Sequence, residues 1–150
     1  MIVIFLQNPW SPVYARRGTW PRESWLRALH ASRSGQRLRV LTDGISEEIH
    51  YDNTTPKVGP EPGSRMPPDR KHVLQVILER DPRVIVACGV QAEKAVSSLW
   101  GGPILIIPHP AFRLVTNELL KRANEILQEG EYRGRTVLRQ RRGCFREENL

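Results

Sequence analysis

Apolar runs alternate with helix-spaced apolar positions along this chain. Residues 2–6 (IVIFL) are an unbroken β-rich apolar run ending at a polar–Pro segment, the pattern of a buried strand. The Pro-rich stretch QNPWSPVYARRGTWP then reads as a long loop. Residues 22–33 carry Trp25, Leu26 and Leu29 at helical spacing, and Ser34 and Gly35 are expected to end that helix. The alternation in RLRVL, residues 37–41, predicts a second strand. Residues 43–68, dense in Pro and Gly, predict an irregular loop, and a loop that long in a compact domain is usually functional or disordered.

Downstream the periodicity is cleaner. Asp69 is placed to cap a helix running to about Glu79, with Val73, Leu74, Ile77 and Leu78 expected to face inward. RVIVAC (83–88) predicts a third strand. Gly89 turns the chain into a helix bearing Val90, Ala95, Val96 and Leu99. PILII (103–107) predicts a fourth strand. HPAFR follows, then a helix carrying Val115, Leu119, Leu120, Ala123, Ile126 and Leu127, closed by Gly130. Apolar strands alternating with helices predict an α/β fold: a three-layer α/β/α sandwich around a central, mainly parallel four-stranded sheet. Ligands of such sheets bind beyond the carboxyl ends of the strands. QNPW, the loop around Asn53, CGVQAE and PHPAFR should therefore meet on one rim.

At 150 residues the expectation is one domain over 1–150, with a basic C-terminal extension from about residue 131. A hydrophobic content of 39% and a charged content of 26% exclude a disordered chain. No apolar run approaches the roughly 20 residues of a membrane helix, and Met1–Leu6 lacks a signal peptide's basic start. The expected setting is cytoplasmic, with viral or bacterial origin open. Two cysteines, Cys88 and Cys144, are too few for a four-thiolate iron–sulfur site, and Cys88 reads as a buried thiol. The histidines show no metal-ligand spacing with them, so neither metal nor cofactor is expected.

The net charge of +7 is unevenly placed. Between Met1 and Thr42 stand Arg16, Arg17, Arg22, Arg27, Arg33, Arg37 and Arg39 against the single acid Glu23, and a second basic stretch runs from Arg133 to Arg146. Guanidinium groups match phosphate oxygens, so the expected partner is a nucleic acid, as against a merely solubilising surface.

Leu6-Gln7-Asn8-Pro9-Trp10 after the first strand, VIVACGVQAEKAV (84–96), NTTPKVG and MPPDRKHV (from Asn53 and Met66), and His109-Pro110-Ala111-Phe112 after the last strand stand in one order. That series resembles the uracil-DNA glycosylase superfamily over about residues 2–120. It is nearest in motif to the mismatch-specific and single-strand-selective branches, including glycosylases of the 5-hydroxymethyluracil type. Leu6 departs from the pattern, standing where the family usually has Gly.

The resemblance implies a monofunctional enzyme, acting as a monomer on DNA without a cofactor. It would hydrolyse the N-glycosidic bond of a flipped uracil or 5-substituted uracil. His109 would donate a hydrogen bond to the departing base anion. Asn8 would position the attacking water. Gln7, Trp10, Tyr14, Trp20 and Asn53 would bind the base, with Asn53 on its Watson–Crick edge and Trp10 against C5. Phe112 and Arg113 would enter the vacated stack, and Arg16 and Arg17 would meet phosphates. Taken singly, the same residues have plainer readings. His109 can serve a turn or cap, Asn8 and Asn53 can initiate turns, and Tyr14 and Trp20 can be core. A catalytically inactive nucleic-acid-binding protein of the same fold is the alternative. A hydrolase of free nucleotides is a third reading, against which the arginine content argues.

Overall fold

The computed structural model describes residues 1–150. The strands are β1 (Ile2–Leu6), β2 (Ile49–Asn53), β3 (Val84–Cys88), β4 (Ile104–Ile107), β5 (Arg135–Arg141) and β6 (Cys144–Asn149). The helices are α1 (Arg22–Ala31), α2 (Arg33–Thr42), α3 (Arg70–Arg80), α4 (Val90–Leu99) and α5 (Asn117–Gln128). One six-stranded sheet runs in the order β2-β1-β3-β4-β5-β6. All its pairings are parallel except the last, where β6 returns antiparallel to β5.

Every residue of β1, β3 and β4 is buried, which is why these strands read as unbroken apolar runs. Their side chains alternate between two clusters. Ile2, Ile4 and Leu6 pack with residues of α1, α2 and α5, whereas Val3 and Phe5 pack with residues of α3 and α4. Each such side chain contributes about 1.5–3 kcal/mol on burial. These clusters hold the strands in register, and the register fixes the rim. Leu6 pairs with Asn53, Phe5 with Ala87, and Cys88 with Ile107, so Gln7, Thr54, Gly89 and Pro108 are the residues that step off the sheet together.

Five expectations fail, each for a local reason. The sheet has six strands and not four. RLRVL lies in α2, where Leu38 and Leu41 are buried at helical spacing; within five residues that spacing and strand alternation overlap. The helical stretch breaks at Ser32, not at Ser34–Gly35, and the Ser32 Oγ accepts the Gly35 N–H at 3.1 Å to restart it as α2. A strand, β2, lies inside the segment read as loop. It is an edge strand with the polar sequence IHYDN, so no apolar run marks it. The basic C-terminal stretch is likewise no appendage, because β5 and β6 complete the sheet.

Smaller departures follow helix rotation. In α3 the Asp69 cap is present, its carboxylate accepting the His72 N–H, and Val73 and Ile77 are buried. Leu74 and Leu78 instead face solvent, as does Val90 in α4. Val115, Leu119, Leu120, Ala123, Ile126 and Leu127 are all buried as the pattern requires, although α5 ends at Gln128, before Gly130. Cys88 is a buried free thiol and Cys144 an exposed one. No helix is long and apolar enough to cross a membrane.

Candidate functional site

Two loops that leave neighbouring strands are stitched together at the rim. The Thr54 N–H donates to the Leu6 carbonyl at 2.9 Å, and the Thr54 hydroxyl to the Gln7 carbonyl at 2.8 Å. Farther along, the Gly59 N–H donates to the Pro9 carbonyl at 3.2 Å, and the Asn8 Oδ1 accepts the Met66 N–H at 3.1 Å. Gly59 has to be small here: a Cβ on it would stand 2.5 Å from the Ser64 Oγ and 3.1 Å from the Asn8 Nδ2. The QNPW segment thus owes its shape to the Pro-rich loop that follows β2.

Between these loops and the start of HPAFR opens a cleft of about 480 Å³. Gln7, Asn8, Trp10, Trp20, Asn53 and His109 all line it. Six side chains singled out in the sequence, drawn from three separated segments, therefore share one cavity. Trp25, Leu29, Ser32 and Ser34, from α1 and the α1–α2 junction, supply the opposite wall. Nothing in the sequence marks them, because a cavity wall and a core face look alike in an apolar pattern. Tyr14 lies outside the lining and stacks on Trp20, with ring centroids 5.3 Å apart and planes inclined by 18°. The Arg17 guanidinium lies 5.9 Å from the Tyr14 ring centroid, and Arg16 is exposed beside it.

His109 is the electrostatic centre of the cleft. The Ala111 N–H donates to its Nδ1 at 3.0 Å, so in the neutral ring the proton is on Nε2. Burial keeps the ring neutral by pushing its pKa down to about 4. No protein group accepts from Nε2, which leaves one uncharged donor without an internal partner. Gly89, at φ 91°, allows this placement, since a Cβ on it would come within 3.3 Å of the His109 Cβ.

Other polar atoms of the cleft are also unengaged. Gln7 Nε2 and Trp10 Nε1 are buried with no hydrogen-bond partner. Such orphaned donors are rare in native proteins and cluster where a ligand supplies the acceptor. Asn53 is buried; its backbone N–H donates to the Asp52 Oδ1, while its side-chain amide makes no internal hydrogen bond.

The loop after His109 is held from outside. Arg37 of α2 donates from Nη1 to the carbonyls of Pro110 at 2.5 Å and Phe112 at 2.7 Å, and from Nη2 to that of Arg113 at 3.3 Å. Desolvation, followed by the nearby charge of Arg33, lowers the pKa of Arg37. Phe112, Arg113 and Leu114 project into solvent beyond this anchor. Sequence reasoning missed Arg37 because its segment was read as a strand.

A second cleft of about 380 Å³ adjoins the first, and Gln7 and His109 line both. Phe112 belongs to this second cleft, together with Arg65, Gln91, Glu93, Arg139 and Gln140. No family model, curated protein or solved structure matches the chain.

Proposed function

We propose that the protein is a monofunctional DNA glycosylase acting on uracil or a 5-substituted uracil such as 5-hydroxymethyluracil. The observation that carries the reading is the meeting of QNPW, Asn53 and HPAFR in one cleft, with a neutral His109 whose Nε2–H is unengaged. A cleft of about 480 Å³ suits a nucleobase, which is a small planar ligand. The fold is read as a three-layer α/β/α sandwich, and the protein as a cytoplasmic monomer that needs no cofactor.

In this mechanism the target nucleotide leaves the stack and enters between Trp10 and Asn53. The Asn53 amide pairs with O4 and N3–H of the pyrimidine. As the C1′–N1 bond breaks, its electron pair leaves on the base. The His109 Nε2–H donates to O2 of that anion, an uncharged donor preset for charge that develops only in the transition state. Water adds its oxygen to C1′ and releases a proton to solvent. Asn8 orients this water through Oδ1, whose second lone pair remains open beside the Met66 N–H. Phe112 and Arg113, exposed on the loop that Arg37 anchors, enter the vacated stack.

A second reading has one observation in its favour. The cleft contains no carboxylate, and Asn8 is already bonded to the loop at Met66. A protein that binds nucleic acid without base release fits that arrangement. Incubation with uracil-, hydroxymethyluracil- and thymine-containing oligonucleotides, followed by alkali, separates the two. Scission at uracil or its derivative is expected; intact strands on all three remove the glycosylase reading.

A further inference from the structure

The C-terminal hairpin builds part of the rim. Because β5 runs parallel to β4, it ends on the edge from which QNPW and HPAFR depart. Ile106 pairs with Val137, so Leu138 comes level with Ile107, the last residue of β4, and Arg139 and Gln140 come level with Pro108 and His109. These three hairpin residues form one wall of the second cleft, whose other side includes Gln7 and His109. Gln140 ties the hairpin to the body: its Oε1 accepts from the Thr116 N–H at 3.2 Å and its hydroxyl at 3.1 Å, where α5 begins. Gly143, at φ 71°, makes the turn that exposes Arg141 and Arg142.

Charge follows the same polarity. Arg16, Arg17, Arg65, Arg113, Arg141 and Arg142 all leave the carboxyl-end rim, and none makes an ion pair within the protein. Arg139 is partly neutralised by Glu93 at 3.4 Å. The opposite rim mixes Asp43, Glu47, Glu48, Glu129 and Glu131 with Arg80, Arg83 and Arg133, and Glu47 is paired with Arg83 and the N-terminal amine. The unpaired arginines are therefore concentrated at one end of the sheet, which is the end that draws a polyanion.

We infer that the β5–β6 hairpin is a backbone clamp for a polynucleotide strand. Arg141 and Arg142 contact phosphates, and the second cleft takes the backbone flanking the nucleotide held in the first. The two clefts meet at Gln7 and His109, so a strand that commits a base to one lies across the other. This deepens the proposed function and rests on its nucleic-acid substrate.

The test is the salt dependence of binding to a fluorescent single-stranded uracil-containing oligonucleotide, followed by anisotropy between about 50 and about 300 mM KCl. Wild type is compared with R141A/R142A and with the far-rim control R80A/R133A. All four side chains are exposed, and an unchanged thermal midpoint verifies the fold. The slope of log affinity against log salt should become shallower by about 1.4 in R141A/R142A, the loss of two single-strand phosphate contacts, and stay unchanged in the control. An unchanged slope in R141A/R142A, or an equal change in both pairs, overturns the clamp. Base release measured on the same oligonucleotide keeps the two ideas apart. Release with an unaltered slope removes the clamp alone. The expected slope change without release removes the glycosylase reading alone.

Discussion

His109 and His72 are the same side chain in opposite electrostatic settings. Around His109 there is desolvation, one backbone N–H on Nδ1 and no carboxylate bonded to the ring, which is neutral with its pKa near 4. His72 donates from Nε2 to the Asp52 Oδ1 at 2.9 Å, and that bond outweighs burial and raises its pKa. Asp52 is half-buried, and the desolvation by itself would raise its pKa. Hydrogen bonds from His50 and His72, the His72 charge and the Asn53 N–H together hold it well below the usual carboxylate range. Arg22 completes the group, donating to the His50 Nδ1 at 3.3 Å and to the Tyr51 carbonyl at 2.6 Å. Because Arg only donates, His50 uses Nε2–H toward Asp52.

The difference separates two uses of a histidine. At the Asp52 cluster both carboxylate oxygens are engaged by histidines of the protein, and the result fastens α3 and α1 to the edge strand β2. At His109 the protein withholds a partner, leaving a donor available to a ligand. Unpaired buried polarity is costly to a fold, and here it falls on Gln7 and Trp10, which line the same cleft as the unengaged His109 Nε2, whereas the Asp52 cluster is bonded within the protein.

The largest effect is expected for His109→Ala. Base release should fall about 10²–10³-fold while oligonucleotide binding persists. Wild-type rates in that variant would remove His109 from the chemistry. Next, Asp52→Asn should cost about 2 kcal/mol of unfolding free energy, read from urea denaturation. It should also flatten the pH dependence of stability. In the wild type, Asp52, with its pKa depressed, contributes stability above its ordinary value of 3.8 and loses it as pH falls. The raised His72 contributes fully below its ordinary 6.5 and loses that contribution as pH rises through its folded value. An unchanged profile in Asp52→Asn means the cluster is not the fastening described.

Arg37→Met should reduce base release about tenfold, as the loss of its carbonyl contacts loosens the loop bearing Phe112 and Arg113, and misplacement near a reacting centre is costly. The rate should fall without a shift of its acid limb, because His109 keeps its own environment. A finer measurement is the ¹⁵N titration of both rings. His109 should stay in the Nε2–H tautomer at neutral pH and titrate near 4, with His72 above 6.5. Both rings titrating near 6.5 would erase the contrast. The smallest effect is expected at Leu78→Glu, an exposed position on α3, where stability should change by less than about 0.5 kcal/mol.

The parts of the molecule whose signal is local were legible along the chain. The central strands announce themselves because both faces are buried, so IVIFL, VIVAC and ILII are apolar throughout. Their ends locate QNPW and HPAFR on a common rim, and six candidate side chains do share a cleft. The rest depended on tertiary structure. Strand β2 is polar because it lies at the edge, and only its ladder with β1 makes it a strand. RLRVL is helical because Leu38 and Leu41 find a core on one face. The basic C-terminus becomes a hairpin because β4 offers a free edge. Arg37, the unpartnered donors and the two clefts joined at His109 have no sequence signature at all. They arise from which groups the packed chain brings together and which it leaves without a partner, and that is a property of the whole fold.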